Sequence, residues 1–315
     1  MKKSIYLLLF SVLLSASESG LQRLGGNCIA QYEPEKINNT LFFACHDGAN
    51  SELWKSDGTV EGTIIVKDIN PGSGLGMSSS PRELTAVGNT LFFYANDGTH
   101  GTELWKSDGS EDGTFMVKDI MDGASGSRIY SLITVGETLF FIAEDDTHGY
   151  ELWKSNVNGT AMVKDIVSGG EGSHLNNMMA VGNRLFFNQD QNKLWRSEGT
   201  EESTIMLKEF DDNKFILQPF TVGNTLFFII NYSGQGIYEL WKSDGTVEST
   251  VIVKSFPQGR EAGLGLRLDI EGMLYFQVGN TTLWRSDGTE AGTVIETKFA
   301  DGAIDYYYPT IINLS

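Results

Sequence analysis

Every tryptophan of this chain lies in one phrase, Leu-Trp-Lys/Arg-Ser, at Trp54, Trp105, Trp153, Trp195, Trp241 and Trp284. Successive tryptophans stand 51, 48, 42, 46 and 43 residues apart. A period of that length marks a repeat architecture, in which each copy is one supersecondary unit that buries its apolar face against its neighbours. Each copy holds four short apolar runs separated by turn residues. The runs are rich in Val, Ile, Phe, Tyr, Trp and Thr, which suit a pleated surface, and none is long enough for an ordinary helix. Turn glycines stand at Gly88, Gly136, Gly182 and Gly223, and Asp-Gly pairs begin at Asp57, Asp108, Asp244 and Asp287. Both tolerate the positive φ that tight hairpins demand.

Four antiparallel strands per copy, six times over, predict an all-β fold, a six-bladed β-propeller. A solenoid is the alternative. In the fullest copy the strands A to D, counted from the axis outward, are expected at 83–87, 90–94, 103–107 and 114–120. Strand B is apolar at consecutive positions (Leu91, Phe92, Phe93), as a strand buried on both faces requires. The tryptophans are expected as core between adjacent blades, in six equivalent, largely buried sites. At the strand A position of blade 1, Glu33-Pro34-Glu35-Lys36-Ile37 is a poor inner strand because of its proline and charges. The C-terminal segment 308–314 resembles a strand A with nothing after it. It is therefore expected to close the ring as the inner strand of blade 1, removing an unpaired edge.

The N-terminus reads as a cleaved secretory leader: Lys2 and Lys3, an apolar run over 5–14, then Ser15-Ala16-Ser17. The expected organisation is a leader over 1–17, an N-terminal arm over 18–33 and the propeller over 34–315. No other segment is long enough to span a bilayer as a helix. A secreted, extracellular, monomeric protein is expected. There an oxidising compartment would join Cys28 and Cys45 in a disulfide. The formal charge is −18, and −20 without Lys2 and Lys3. Such a surface repels phosphate backbones, so nucleic acid is not an expected partner.

The run at 52–63, Glu-Leu-Trp-Lys-Ser-Asp-Gly-Thr-x-x-Gly-Thr, resembles the ELWxxDGTxxGT (hyalin-like) repeat of secreted, mainly bacterial proteins. The Ile-Val-Lys-Asp-Ile run at 65–69 extends the match, and the resemblance covers about 40–299. Some copies depart from the pattern. Lys193 and Thr282 replace the leading Glu, Ser203 and Ser249 replace the second loop glycine, and blade 3 shortens the loop at 156–160. The resemblance implies a propeller-like fold and export, and brings no catalytic residue.

Residues shared by all blades are most economically structural, so function is sought where the blades differ. The A–B and C–D loops are monotonous, whereas the B–C and D–A loops vary, and variable loops on a rigid scaffold are where binding usually resides. These loops also hold His46, His100, His148 and His174. Candidate ligand-binding residues near the axial mouth are Arg82, Glu83, Arg128, His174, Arg267 and Asp269. His100 and His148 share Thr-His-Gly, which favours a turn role within their own blades. A calcium reading of the Asp-Gly-Thr loops lacks the alternating acidic ligands of a known calcium loop, so no cofactor or metal is expected. No nucleophile elbow, phosphate-cradling loop or dinucleotide fingerprint occurs, and the catalytic residues, if any, are not legible. The first functional reading is a binding module for an extracellular glycan or protein, with Tyr150, Tyr232, Tyr238, Tyr306, Tyr307 and Tyr308 offering flat faces to sugars. A secreted enzyme acting on a small molecule in the axial pocket is the second. A structural or adhesive repeat protein is the third.

Overall fold

The structure is a computed structural model and describes residues 29–46, 50–72, 77–256, 264–278 and 282–298. Among these residues there is no helix, so none is long and apolar enough to cross a membrane. Blade 1 is β1 (Ile29–Ile37), β2 (Thr40–His46), β3 (Ser51–Ser56) and β4 (Ile64–Lys67). Blade 2 is β5 (Arg82–Val87), β6 (Thr90–Asn96), β7 (Thr102–Ser107) and β8 (Phe115–Lys118). Blade 3 is β9 (Tyr130–Val135), β10 (Thr138–Asp145), β11 (Gly149–Asn156) and β12 (Gly159–Lys164). Blade 4 is β13 (Leu175–Val181), β14 (Arg184–Gln189), β15 (Lys193–Ser197) and β16 (Ile205–Glu209). Blade 5 is β17 (Lys214–Val222), β18 (Thr225–Tyr232), β19 (Ile237–Ser243) and β20 (Val251–Phe256). Blade 6 is β21 (Leu264–Ile270), β22 (Met273–Val278), β23 (Thr282–Ser286) and β24 (Val294–Lys298).

Each blade is an antiparallel meander with its strands hydrogen-bonded in chain order. The fold class is the β-propeller. The chain divides into two compact units, one holding blades 1–3 with Gly199–Glu201 and the other holding blades 4–6.

Strand B carries the core. Its second aromatic is Phe43, Phe93, Phe141, Phe187, Phe228 or Phe276, each less than 2 % exposed. Burying one such ring contributes about 1.5–3 kcal/mol. Strand C meets strand D across a bulge between Leu and Trp in every blade, as at Leu104 and Trp105. The extra residue lies on strand D, where Val66, Val163, Leu207 and Val253 are all buried. The bulge thus turns inward a side chain that strict alternation would face the other way.

The tryptophans are less uniform than the repeat predicts. Trp105 packs into the core shared by blades 1 and 2, Trp153 into that of blades 2 and 3, and both are buried. Trp241 and Trp284 edge onto Phe210 and Phe256 of blades 4 and 5, at 5.1 and 5.2 Å, and are partly exposed. Trp54 and Trp195 open the two units and are also only partly buried. Trp54 packs on Phe43 and Cys45 of its own blade.

The start of blade 1 corrects the sequence reading. The inner edge of β2 is held by β1, with Glu35 opposite Phe42, Lys36 opposite Leu41 and Ile37 opposite Thr40. That is the position assigned to the C-terminal segment, and 308–314 lies outside the described residues. Residues 29–33 accordingly belong to the blade and not to an arm. Pro34 is tolerated because the ladder is interrupted between Gln31 and Glu35, so its missing N–H has no bond to lose. Glu35 finds a partner of its own, accepting the Ala86 N–H of blade 2 at 3.2 Å.

Candidate functional site

The repeated loops account for their own recurring residues. In the Asp-Gly-Thr turn of blade 1, Asp57 Oδ1 accepts the Thr59 N–H and hydroxyl at 2.9 and 2.7 Å. Thr59 Oγ1 in turn accepts the Gly62 N–H. Gly58 has φ +95°, which glycine adopts without strain. A Cβ on Gly62 would stand 2.0 Å from Asp57 Oδ1. Blade 5 resolves the same crowding with a hydroxyl: Ser249 Oγ donates to Asp244 Oδ1 and accepts the Asp244 N–H at 3.0 Å. These carboxylates are consumed by the turn, and the hydrogen bonds from Thr59 and its equivalents hold Asp57, Asp108 and Asp287 below the usual carboxylate range. Among the described residues no group of three or more His, Cys, Asp or Glu side chains could hold a metal ion.

At the other end of the blades, strand C and the D–A segment are locked together in blades 1–3. The leading Glu of the repeat, Glu52, Glu103 or Glu151, is at most 4 % exposed. Glu103 accepts the Ile120 and Met121 N–H groups at 3.1 and 3.3 Å and the Ser127 hydroxyl at 2.6 Å. Glu52 is held by Ile69 N–H, Ser79 N–H and the Ser79 hydroxyl, and Glu151 by Ile166 N–H and the Ser173 hydroxyl. Burial pushes all three carboxyls up, against the downward pull of these donors. The residue after each serine, Ser80, Arg128 or His174, sits in the left-handed region at φ 45–47°. Arg128 and His174 stand at one register, seven residues before Val135 and Val181, and share this backbone geometry.

The six candidate residues take different positions. Glu83 and Asp269 tie inner strands together: Glu83 Oε2 accepts the Leu132 N–H of blade 3 at 2.9 Å, and Asp269 Oδ2 accepts the Gly223 N–H of blade 5 at 3.2 Å. Arg267 donates to the Gln218 carbonyl at 3.0 Å and lines a void of only about 10 Å³. Burial lowers its pKa. Arg128 holds Glu144 at 2.9 Å and lies by Tyr150, whose ring centroid is 5.9 Å from that of Tyr130. Arg82, Glu83, Arg128 and His174 belong to the unit of blades 1–3, Arg267 and Asp269 to the other.

Arg82 opens β5 opposite Tyr94 on β6, and its guanidinium lies 4.8 Å from the centre of the Tyr32 ring. Beside it is a recess of about 330 Å³ lined by Ser78, Ser79, Ser80, Arg82, Tyr94, Asn96 and Thr102. That volume is at the lower end for a small-ligand pocket. Tyr32 and Tyr94 were not singled out by the sequence. The available signal was that the position after the second aromatic of strand B is Ala44, Tyr94, Ile142, Asn188, Ile229 and Gln277, a different environment in nearly every blade. Blade 5 carries a related pairing, with Lys214 Nζ 4.9 Å from the Tyr232 ring centre and the Tyr232 hydroxyl donating to Glu239 at 2.7 Å.

His100 and His148 serve turns. His100 Nδ1 meets Asp97 at 2.7 Å and His148 Nδ1 meets Asp145 at 2.9 Å. Each Asp also accepts the N–H of its own histidine and of the residue before it. The hydrogen bond to Asp raises both imidazole pKa values.

No family model matches the sequence, and no curated protein matches it. Solved structures resemble it in fold. Prolyl oligopeptidase B from Galerina marginata aligns at 12 % identity with a TM-score of 0.51, covering 92 % of this chain and 47 % of that one. Oligopeptidase B from Leishmania major aligns at 11 % identity and 0.49, covering 91 % of this chain and 43 % of that one. A manganese complex of oligogalacturonate lyase aligns at 10 % and 0.45, covering 82 % and 74 %. Identities this low concern the fold alone, and the chain spans less than half of either peptidase.

Proposed function

We propose that this protein is a secreted member of the ELWxxDGTxxGT repeat proteins that binds an extracellular glycan through the B–C and D–A loop end of its blades. The observation that carries this reading is the recurrence of a cation beside tyrosine where strand A begins and strand B ends. It appears as Arg82 with Tyr32 and Tyr94, as Arg128 with Tyr130 and Tyr150, and as Lys214 with Tyr232. Tyrosine offers a flat apolar face with a polar rim, which suits a sugar ring bearing C–H groups on one side and hydroxyls at its edge. The cation and neighbouring hydroxyls fix orientation, as the few polar groups of a ligand site do.

The test is retention of the protein on an array of extracellular glycans. Tyr94→Ala, Tyr150→Ala and Tyr232→Ala should each lower retention without unfolding the blades. Retention on no glycan at all would end this reading. Export is supported by the leader-like N-terminus, and recovery of protein beginning near residue 18 from culture medium would establish it. The Cys28–Cys45 disulfide is part of the same proposal. Cys45 is fully buried opposite Ala30, while Cys28, outside the described residues, directly precedes Ile29 in the chain. Mass spectrometry of unreduced peptides should find the two joined.

A further inference from the structure

We infer that the recess beside Arg82 is a single subsite for a sugar bearing a carboxylate, such as a uronic acid residue. This deepens the glycan reading and rests on it. In a chain with 41 acidic and 23 basic side chains, an exposed guanidinium normally finds a carboxylate. Arg128 holds Glu144, Arg184 and Arg196 hold Glu198, and Arg285 holds Glu296. Among the described residues, Arg82 has no carboxylate within ion-pair distance and no hydrogen-bond acceptor. Its neighbour Glu83 is committed to the Leu132 N–H.

Its guanidinium lies over the Tyr32 ring, and its N–H groups have no acceptor among the described residues. Those donors form a fork that matches the two oxygens of a carboxylate. The rest of the recess suits the remainder of a sugar. Ser78, Ser80, Thr102 and Asn96 supply small polar groups, and Tyr94 supplies a ring. The shape is held from below, because the Ser80 N–H donates to the Ser51 carbonyl at 3.0 Å and the Asn96 N–H to the Ser79 carbonyl at 3.0 Å. No other blade repeats the set: Tyr130 and Asn176 stand at the register of Arg82, and Ile142 and Asn188 at that of Tyr94. A comparable recess at Val181, Asn183, Arg184 and Asn224 differs in the decisive respect. Its arginine is already engaged by Glu198 and by the Asp244 carbonyl at 2.7 Å.

The experiment titrates the full chain with methyl β-D-glucuronide and, in parallel, with methyl β-D-glucoside, read by calorimetry or ligand-detected NMR. The glucuronide should bind at least about tenfold more tightly, at one site per chain, and weaken as salt rises. Arg82→Gln should remove that preference, and Arg82→Lys should restore only part of it, since a point charge lacks the fork. Arg184→Gln should leave it intact. Because Arg82 is exposed, an unchanged melting temperature should confirm that the variants remain folded. Equal binding of both glycosides, or a preference that survives Arg82→Gln, overturns the carboxylate inference while glycan binding stands. Inorganic phosphate or an acidic peptide displacing the glucuronide at equal concentration overturns the assignment to a sugar. Failure of both glycosides to bind, in protein that is nonetheless retained on a glycan array, also overturns this inference alone.

Discussion

Blades 1–3 and blades 4–6 share a strand plan and use the same sequence position differently. In the first three, the residue two before tryptophan is a buried glutamate that gathers backbone amides and a serine hydroxyl from the D–A segment. In the last three it is Lys193, Glu239 or Thr282. Two residues apart on a strand, this position and the tryptophan face the same way, so they compete for partners. Trp105 and Trp153 have buried Nε1 atoms with no acceptor. By contrast Trp195 donates to Gln189 at 3.0 Å, Trp241 to Glu239 at 2.8 Å and Trp284 to Thr282 at 3.2 Å. An unmade bond to a buried donor costs about 1–3 kcal/mol, while each bond to a charged acceptor contributes about 1.5–3 kcal/mol. Two or three donors on one carboxylate outweigh one idle indole, so the first arrangement persists at the expense of the tryptophan.

The largest test of that contrast is deletion of the carboxylate. Glu103→Ala should strand two amides and a hydroxyl and destabilise the protein by about 3–5 kcal/mol, read by chemical denaturation. Glu239→Ala should cost about 1–2 kcal/mol, because its partners are an indole and a phenol beside the surface. Equal losses would break the comparison. Next in size is the turn. Gly292→Ala pushes a methyl onto Asp287, where a Cβ would lie 2.1 Å from Oδ1, and should cost about 1–3 kcal/mol. Ser249→Gly in blade 5 should lose only about 1 kcal/mol, since it removes a hydrogen bond and relieves crowding.

A smaller effect is the pH dependence of Glu103. Its folded pKa is raised by burial, so its contribution to stability is fully present below the unfolded value of 4.5 and declines as pH rises through the folded value. Glu103→Gln should flatten that part of the stability curve. Smallest is the titration of His100 and His148, which should both be seen by NMR above 6.5 because their Asp partners favour the imidazolium. Asp97→Asn should return His100 toward the ordinary value and leave His148 where it is.

The strands were legible because their signal is local. Consecutive buried aromatics in strand B and left-handed glycines at the hairpins need no knowledge of the neighbours. β1 was missed because Pro34 and Glu35 violate a local rule whose exceptions are set elsewhere, by the bulge and by an amide from blade 2. The site shows the same limit. Variation between blades pointed to Arg82 and Glu83, yet spacing along the chain does not say that Glu83 is tied to Leu132 and Arg82 is idle. Tyr32, from blade 1, meets Arg82, from blade 2, only through folding. The buried role of Glu52, Glu103 and Glu151 was hidden because their serine partners lie 22–27 residues away in loops of unequal length.

The ties between inner strands bear on how such an array grows. Glu35 serves an amide of blade 2, Glu83 one of blade 3, and Thr134 of blade 3 reaches back to the Ala86 carbonyl at 2.7 Å. Lys55 of blade 1 likewise caps the Gly109 carbonyl of blade 2. Each repeat is therefore written with half of its neighbour's grammar, and the piece of gene that can be copied intact is a seam rather than a blade. Duplicating one repeat places an old acid before a new amide only when the copy lands beside its own kind. Blade 3, with its shortened C–D turn, breaks that condition: Lys106 has no Asp-Gly carbonyl ahead of it and rests over Phe115, 4.9 Å away, in its own blade.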